Sequence, residues 1–381
     1  MTTQRPIIVI GGGIAGVECV LTLRATLPHA PVMLITDRPF LRIRPNLVYL
    51  ALGRPGVTHE IPLDSARLDG TTVIRDIAVH VDRVSQVVTC ATGRMFMYDT
   101  LILAPGTVPR PSTGLRLRTV HDAQALSRRL AVLAAHPRPL HGVLVRDLPD
   151  DTWNPPAYEM AFLIDGWLRS QQIRDRISLT IATPDHVTFE TFGPHVSQTV
   201  HTQLAARNIH CILGVPPGRI EELDDDLVID VGGFTAARCA GEPPQAGHGF
   251  FRTDSAGRIA SHIHVVGDAA DLPYKGGFTC SWQAQRVARA LGGDLARIGD
   301  TLDGVPIDAF EYQMDLSGSV LIVRMSVAGV TTLLGAPKTI RHDIREGAPT
   351  KLAGTMLRSR LIANEDLESM TKRVGDSAHV R

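Results

Sequence analysis

Apolar and polar positions repeat a strand–helix rhythm along most of this chain. Pro6–Ile10 (PIIVI) is a short unbroken apolar run, the pattern of a parallel strand buried on both faces. GGGIAG follows at Gly11–Gly16, then VECVLTLRA with helical character, and a second apolar run, VMLIT, spans Val32–Thr36 and stops at Asp37. YDTLILAPGT (Tyr98–Thr107) predicts another strand running into a glycine turn, and HGVLVRD (His141–Asp147) opens a further unit. HIHVVGDAADLPYKGG (His262–Gly277) predicts a strand, the pair Gly267-Asp268, a loop, and then a helix beginning near Gly277 with FTCSWQAQRVARAL. Leu316–Gly335 is apolar enough to suggest a membrane span, but Arg324, its serines and threonines and three glycines point instead to a strand pair.

The first of these segments carries chemistry. A GxGxxG turn between a strand and a helix, with an acidic residue 21 positions after its last glycine, is the fingerprint of a dinucleotide site. Gly11 permits the tight turn, Gly13 lets a pyrophosphate approach the backbone, and Gly16 lets helix and strand pack closely. The free N–H groups at the start of the helix, at Ile14 and Ala15, face the phosphates. Asp37, or Thr36 beside it, is placed to accept from the adenosine ribose hydroxyls.

Composition narrows the classes. The 381 residues include 39 basic and 39 acidic side chains, giving zero formal net charge, and 44% are hydrophobic, as in a folded globular protein. Without a basic block, a nucleic-acid partner is not expected. Only four residues are lysines (Lys275, Lys338, Lys351 and Lys372), a bias that fits a GC-rich genome. Cys19, Cys90, Cys211, Cys239 and Cys280 are odd in number, scattered and never in a CxxC pair, so neither a disulfide framework nor a zinc site is indicated. Reduced thiols and a cytoplasmic location are expected, with no signal peptide. The histidines offer no metal-binding spacing beyond His262-Ile263-His264, which reads as the edge of a strand, and no metal is expected.

The glycine turn, the APGT turn and the Gly267-Asp268 segment together resemble the two-dinucleotide-binding-domain flavoproteins, the pyridine nucleotide–disulfide oxidoreductase superfamily. Thr36–Gly53, Pro155–Arg169, Thr183–Ile209 and the PYKGG turn look like its sulfide:quinone oxidoreductase branch. The resemblance implies FAD as cofactor, its pyrophosphate on Gly11–Gly16, Ala104-Pro105-Gly106 closing over it, and Asp268 bonded to the ribityl chain. It also implies an α/β fold of two Rossmann-like three-layer domains plus a small C-terminal α+β region. The FAD domain would be discontinuous, residues 1–112 and 240–300. A second, degenerate domain would span 113–239 and a C-terminal domain 301–381.

Two departures from that pattern stand out. The strand at His141–Asp147 is followed by LPDDTWNPPAYEM, with no glycine turn; Cβ atoms would block a pyrophosphate, and Asp147, Asp150 and Asp151 would repel it. NAD(P)H is therefore not expected as a partner. Where the resembling enzymes carry redox cysteines, just ahead of PAYE and beside the GD turn, this chain has Trp153 and Ala269, so no thiol relay is expected.

Candidate reactive groups cluster in Pro273–Trp282. The first-turn N–H groups at Gly277 and Phe278 carry partial positive charge, which by resemblance would face the flavin pyrimidine edge and favour its reduced form. Lys275 would approach the flavin or the substrate, or equally is a solvated loop lysine. Cys280 near the helix start is either an activated thiol or, as free cysteines more often are, a small buried hydrophobe. Tyr158 and Glu159 look like structural positions of that family at the start of a helix, although Glu159 is a candidate base if it faces the flavin; Trp153 and Trp282 read as packing. Arg42 and Arg44 alternate with apolar residues, which puts both on one side of an extended segment, where they could grip an anionic substrate group or simply be solvated. The expected function is two-electron oxidation or reduction of a small organic molecule, with oxygen or a quinone as electron partner. Alternatives are a peripheral quinone reductase at the inner membrane face, using an amphipathic segment near Lys351–Ile362, and a flavin-binding protein without redox turnover.

Overall fold

The computed structural model describes residues 4–64, 68, 70–135, 141–148, 155–243, 249–254, 256–272, 275–293, 301–302, 305–306, 310–326 and 339–346. Asp150, Asp151, Trp153, residues 327–335 and Lys351–Ile362 lie outside them, as does the side chain of Phe278.

Strand β1 (Ile7–Ile10) leads through the glycine turn into helix α1 (Ile14–Thr26), and β2 (Val32–Thr36) returns parallel to β1, with Ile7 opposite Val32. Every residue of α1 from Ala15 to Leu23 is buried, which is why its sequence lacks a polar stripe: one side faces the sheet and the other a later helix. β3 (Phe40–Arg42) pairs antiparallel with β4 (Glu60–Pro62), and between them lie a single 3₁₀ turn at Arg44–Asn46 and the short helix α2 (Leu47–Ala51). β5 (Thr72–Arg75) adds to β2. A meander of β6 (Ala78–Asp82), β7 (Val87–Cys90) and β8 (Met95–Met97) then leads to β9 (Thr100–Leu103), which pairs parallel with the other side of β1.

After β10 (Thr107–Pro109) and helix α3 (Val120–Ala135), a second parallel sheet begins. β11 (His141–Leu148) is its centre, buried along its whole length, flanked by β12 (Ile177–Ala182) and β14 (Leu227–Gly232), with β13 (Ile209–Ile212) beyond β12. Helices α4 (Pro155–Ser170) and α5 (Pro194–Ala206) make the crossovers, and the single turn α6 (Pro217–Ile220) precedes β14. β15 (Phe234–Ala236) pairs antiparallel with β10, carrying the chain back.

β16 (Arg258–Ala260) and β17 (Ile263–Val265) complete the first sheet in the order β16-β17-β9-β1-β2-β5, so residues distant in sequence share one sheet. Helix α7 (Gly277–Leu291) packs along α1, burying Ala284, Val287 and Ala288 with Val17, Val20 and Leu21. The remaining described strands are β18 (Thr301–Leu302), β19 (Val305–Pro306), and the antiparallel set β20 (Phe310–Asp315), β21 (Ser319–Ser326) and β22 (Thr339–Glu346). Where the sequence pattern suggested a pair near the C-terminus, the described strands number three in that sheet. Met314, Leu316, Leu321 and Val323 from this set join the core formed by α3, α4 and the second sheet.

Candidate active site

The carboxyl ends of β1, β9 and β17 meet at the N-terminus of α1, the edge at which parallel α/β sheets bind ligands. Gly11 has φ +112°, and a Cβ there would lie 2.1 Å from the carbonyl oxygen of Ala104. A Cβ on Gly16 would lie 1.9 Å from the carbonyl oxygen of Gly11, so helix and strand approach as closely as backbone permits. Gly13 differs: its φ is −83°, and nothing stands within 4 Å of where its Cβ would be. Two of the glycines serve the protein's own packing, and the third leaves a space.

The other segments close around that space. The Ala104 N–H bonds Ile10 O at 2.8 Å, placing Ala104-Pro105-Gly106 beside the glycine turn, and Gly106 O accepts from Ala237 at 2.9 Å. The Gly267 N–H donates to Gln283 Oε1 at 2.7 Å, and a Cβ on Gly267 would come within 2.6 Å of Ala15 Cβ. Asp268 follows in a 3₁₀ turn, its Oδ1 accepting from Gly276 N at 2.9 Å and from the Cys280 thiol at 3.2 Å. Helix α7 begins at Gly277, where a Cβ would be 3.4 Å from Ile14 Cδ1, so two helix N-termini lie side by side. Their free N–H groups make the region favourable for an anion.

Arginines supply further positive charge. The guanidinium of Arg44 lies 3.9 Å from the Cβ position of Gly106; burial lowers its pKa and the nearby charge of Asp268 opposes that. Arg118 bonds the carbonyl of Thr107, lies over the Phe234 ring at 4.9 Å, and is pushed down to about 10 by burial and by Arg44, Arg116 and Arg38. Its place was not evident from sequence, because the residues that hold it come from two distant strands. Arg42 does not join Arg44. It bonds Glu60 at 2.8 Å across the β3–β4 pair and covers Phe40, while the 3₁₀ turn starting at Arg44 ends the alternation that would have kept the two on one side.

The ribose candidates separate as well. Thr36 is buried at the end of β2, whereas Asp37 is half-exposed and paired with Arg38 at 3.2 Å. Lys275 donates to Ala270 O at 2.5 Å, with its ammonium 3.8 Å from the centre of the Phe250 ring. It therefore ties the loop ahead of α7 to the core. Cys280 is buried, and burial with the neighbouring Asp268 carboxylate holds its thiol far above the usual range.

Glu159 lies elsewhere, where α2, α4 and the end of β20 converge. Its Oε1 accepts the Asp315 N–H at 3.0 Å, and burial pushes its carboxyl up to about 7. Asp315, wholly buried, bonds Arg54 at 2.8 Å and accepts from Ser317 N at 2.7 Å. Tyr158 instead faces the second core, accepting from Phe189 N at 2.8 Å with the two rings edge to face. Trp282 packs against that core with Arg286 over its ring. His264 is buried and its Nδ1 meets Ala256 O at 3.0 Å. Among the described residues no group of three or more His, Cys, Asp or Glu side chains could hold a metal.

Residues 5–134 match the family model described as pyridine nucleotide-disulphide oxidoreductase. The sulfide-quinone reductase of Aquifex aeolicus is 28% identical over 245 residues, a match spanning 61% of this chain and 55% of that relative's length. The chain is thus similar to the pyridine nucleotide–disulfide oxidoreductase superfamily. Its fold agrees with those of solved structures. The sulfide:quinone oxidoreductase structure from Aquifex aeolicus superposes with a TM-score of 0.76 at 18% identity, covering 90% of this chain and 87% of that one. A ferredoxin reductase from Rhodopseudomonas palustris superposes with a TM-score of 0.62 at 19% identity, covering 85% and 83%.

FAD is the cofactor this similarity points to, and the residues fit it. The open backbone at Gly13, the paired helix N-termini and the Arg44 and Arg118 guanidiniums suit a pyrophosphate, while Asp268 offers an acceptor for a hydroxyl. The second sheet offers no such cradle in its described residues. Asp147, next to last in β11, has a carboxylate that accepts from Thr183 Oγ1 at 2.9 Å, and the turn after β11 lies outside the described residues. All five cysteines are free.

Proposed function

We propose that this protein is an FAD-dependent oxidoreductase that exchanges two electrons with a small organic molecule, and that oxygen or a quinone rather than NAD(P)H is the other electron partner. The observation that carries it is the cradle in which Gly11 and Gly16 are packed against backbone while Gly13 opens onto free space beside Asp268. FAD held there supplies two-electron chemistry at its isoalloxazine ring.

The chain's own residues do the rest. The α1 N-terminus and the arginines neutralise the pyrophosphate, Asp268 orients the ribityl chain, and the α7 N-terminus lends positive potential to the ring. Lys275 fixes the loop that sets the start of α7. Trp153 and Ala269 stand where the sequence resemblance would put redox cysteines, so thiol relay chemistry is not part of this proposal.

A second reading, a quinone reductase at a membrane surface, is favoured by the similarity to the Aquifex sulfide-quinone reductase. Among the described residues no helix is long and apolar enough to cross a membrane, so such contact would be peripheral. The test is anaerobic mixing of the FAD-loaded protein with candidate reductants, followed by oxygen or a short-chain quinone. Bleaching by an organic reductant and recovery with either acceptor supports the proposal. A flavin that dithionite reduces but no acceptor reoxidises contradicts it. Rapid reoxidation by quinone alone, together with co-flotation on anionic liposomes, favours the second reading.

A further inference from the structure

Asp268 is held from one side. Both of its donors within the described residues, the Gly276 N–H at 2.9 Å and the Cys280 thiol at 3.2 Å, fall on Oδ1. Among the described residues no donor falls on Oδ2, which leaves it for a ligand.

The position of Cys280 explains why a side chain of α7 can reach back to the end of β17. It is the fourth residue of the helix, its own N–H bonds Gly276 O at 2.9 Å, and side chains on a helix tilt towards its N-terminus. Sγ thus returns over the first turn to Asp268, close enough to Gly267 that a Cβ there would lie 3.5 Å from it. A buried thiolate this near a carboxylate would place two anions together, so the group at 3.2 Å is a neutral S–H donor.

We propose that Cys280 is a positioning residue for the cofactor: its thiol proton fixes Asp268 Oδ1 and thereby turns Oδ2 towards a ribityl hydroxyl. The inference rests on FAD occupying the cradle. It assigns the cysteine of the α7 start a role as donor rather than nucleophile, and it makes the residue part of a two-donor clamp whose other member is backbone.

The test measures FAD affinity of the apoprotein by flavin fluorescence quenching, with thermal unfolding of each apoprotein alongside. Cys280→Ala removes the donor and is expected to weaken FAD about tenfold, which corresponds to about 1.4 kcal/mol. Cys280→Ser keeps an O–H donor and is expected to stay within about threefold of the parent, since a hydroxyl can replace the thiol. In an Asp268→Ala background the alanine substitution at 280 is expected to have no further effect, because the carboxylate it acts through is gone. Equal losses from Ala and Ser, or a loss that persists without Asp268, would make Cys280 a packing residue and overturn the proposal. So would unchanged affinity in Cys280→Ala. If the parent apoprotein takes up no FAD, the cradle reading itself falls, and this inference with it.

Discussion

Glu159 Oε1 accepts the backbone N–H of Asp315 at 3.0 Å, joining the second turn of α4 to the last residue of β20. Arg54, from the segment after α2, bonds the Asp315 side chain at 2.8 Å, so three stretches of chain separated by more than a hundred residues share one polar cluster. Burial pushes the Glu159 carboxyl up to about 7 from 4.5; the Asp315 N–H and Arg54 oppose the rise, and the Asp315 charge adds to it. The folded protein thus holds a proton that the unfolded chain releases at lower pH. Stability from this group is greatest below pH 4.5 and falls as pH rises towards 7, by at most about 3 kcal/mol before solvent screening. Glu159→Gln keeps the acceptor and removes the ionisation. Its denaturant midpoint should decline less than the parent's between pH 5 and pH 8 (about the span bracketing the shift), and parallel profiles would contradict the assignment.

Gly16→Ala should destabilise the protein itself. The new Cβ would meet the Gly11 carbonyl at 1.9 Å, and forcing α1 away from β1 is expected to cost about 2 kcal/mol or more. Chemical denaturation of the apoprotein checks this; an unchanged midpoint would mean that helix and strand are not in such close contact.

Lys275→Met should act through the fold rather than through turnover alone. The substitution removes the ammonium from the Phe250 ring and from Ala270 O, an expected loss of about 1 kcal/mol that appears in apoprotein unfolding as well as in weaker FAD binding. A variant with parental stability and affinity but lost activity would instead make Lys275 a group that acts on substrate.

NADH and NADPH should leave the flavin oxidised under anaerobic conditions, while dithionite reduces it. The ground is the acidic end of β11 and the missing glycine turn after it. Rapid bleaching by either nucleotide in stopped flow would show that the second domain binds it by another route.

Much of the cradle was legible in the sequence because each part is local. A glycine turn between an apolar run and a helix, and a helix starting at Gly277, are set by neighbouring residues, and α1 and α7 lie where the pattern put them. Side-chain destinations were not legible. The alternation in FLRIRP suggested that Arg42 and Arg44 share a side, but Glu60 on β4 captures one and the 3₁₀ turn redirects the other. Arg118 is held at Thr107 and Phe234, and Glu159 at Asp315, through contacts that chain order cannot show. Cys280 read more readily as a buried hydrophobe than as a nucleophile, and neither reading foresaw its bond to Asp268.

The central claim is that the space over Gly13 belongs to a dinucleotide, and Gly13→Leu tests it most directly. The backbone there is open to any L-residue at φ −83°, and a Cβ meets no protein atom within 4 Å. The apoprotein should therefore unfold within about 1 kcal/mol of the parent. The measurement is the FAD content of the purified variant after gel filtration, set against its apoprotein stability. The account predicts a folded, colourless protein; a folded variant that retains stoichiometric FAD would contradict it.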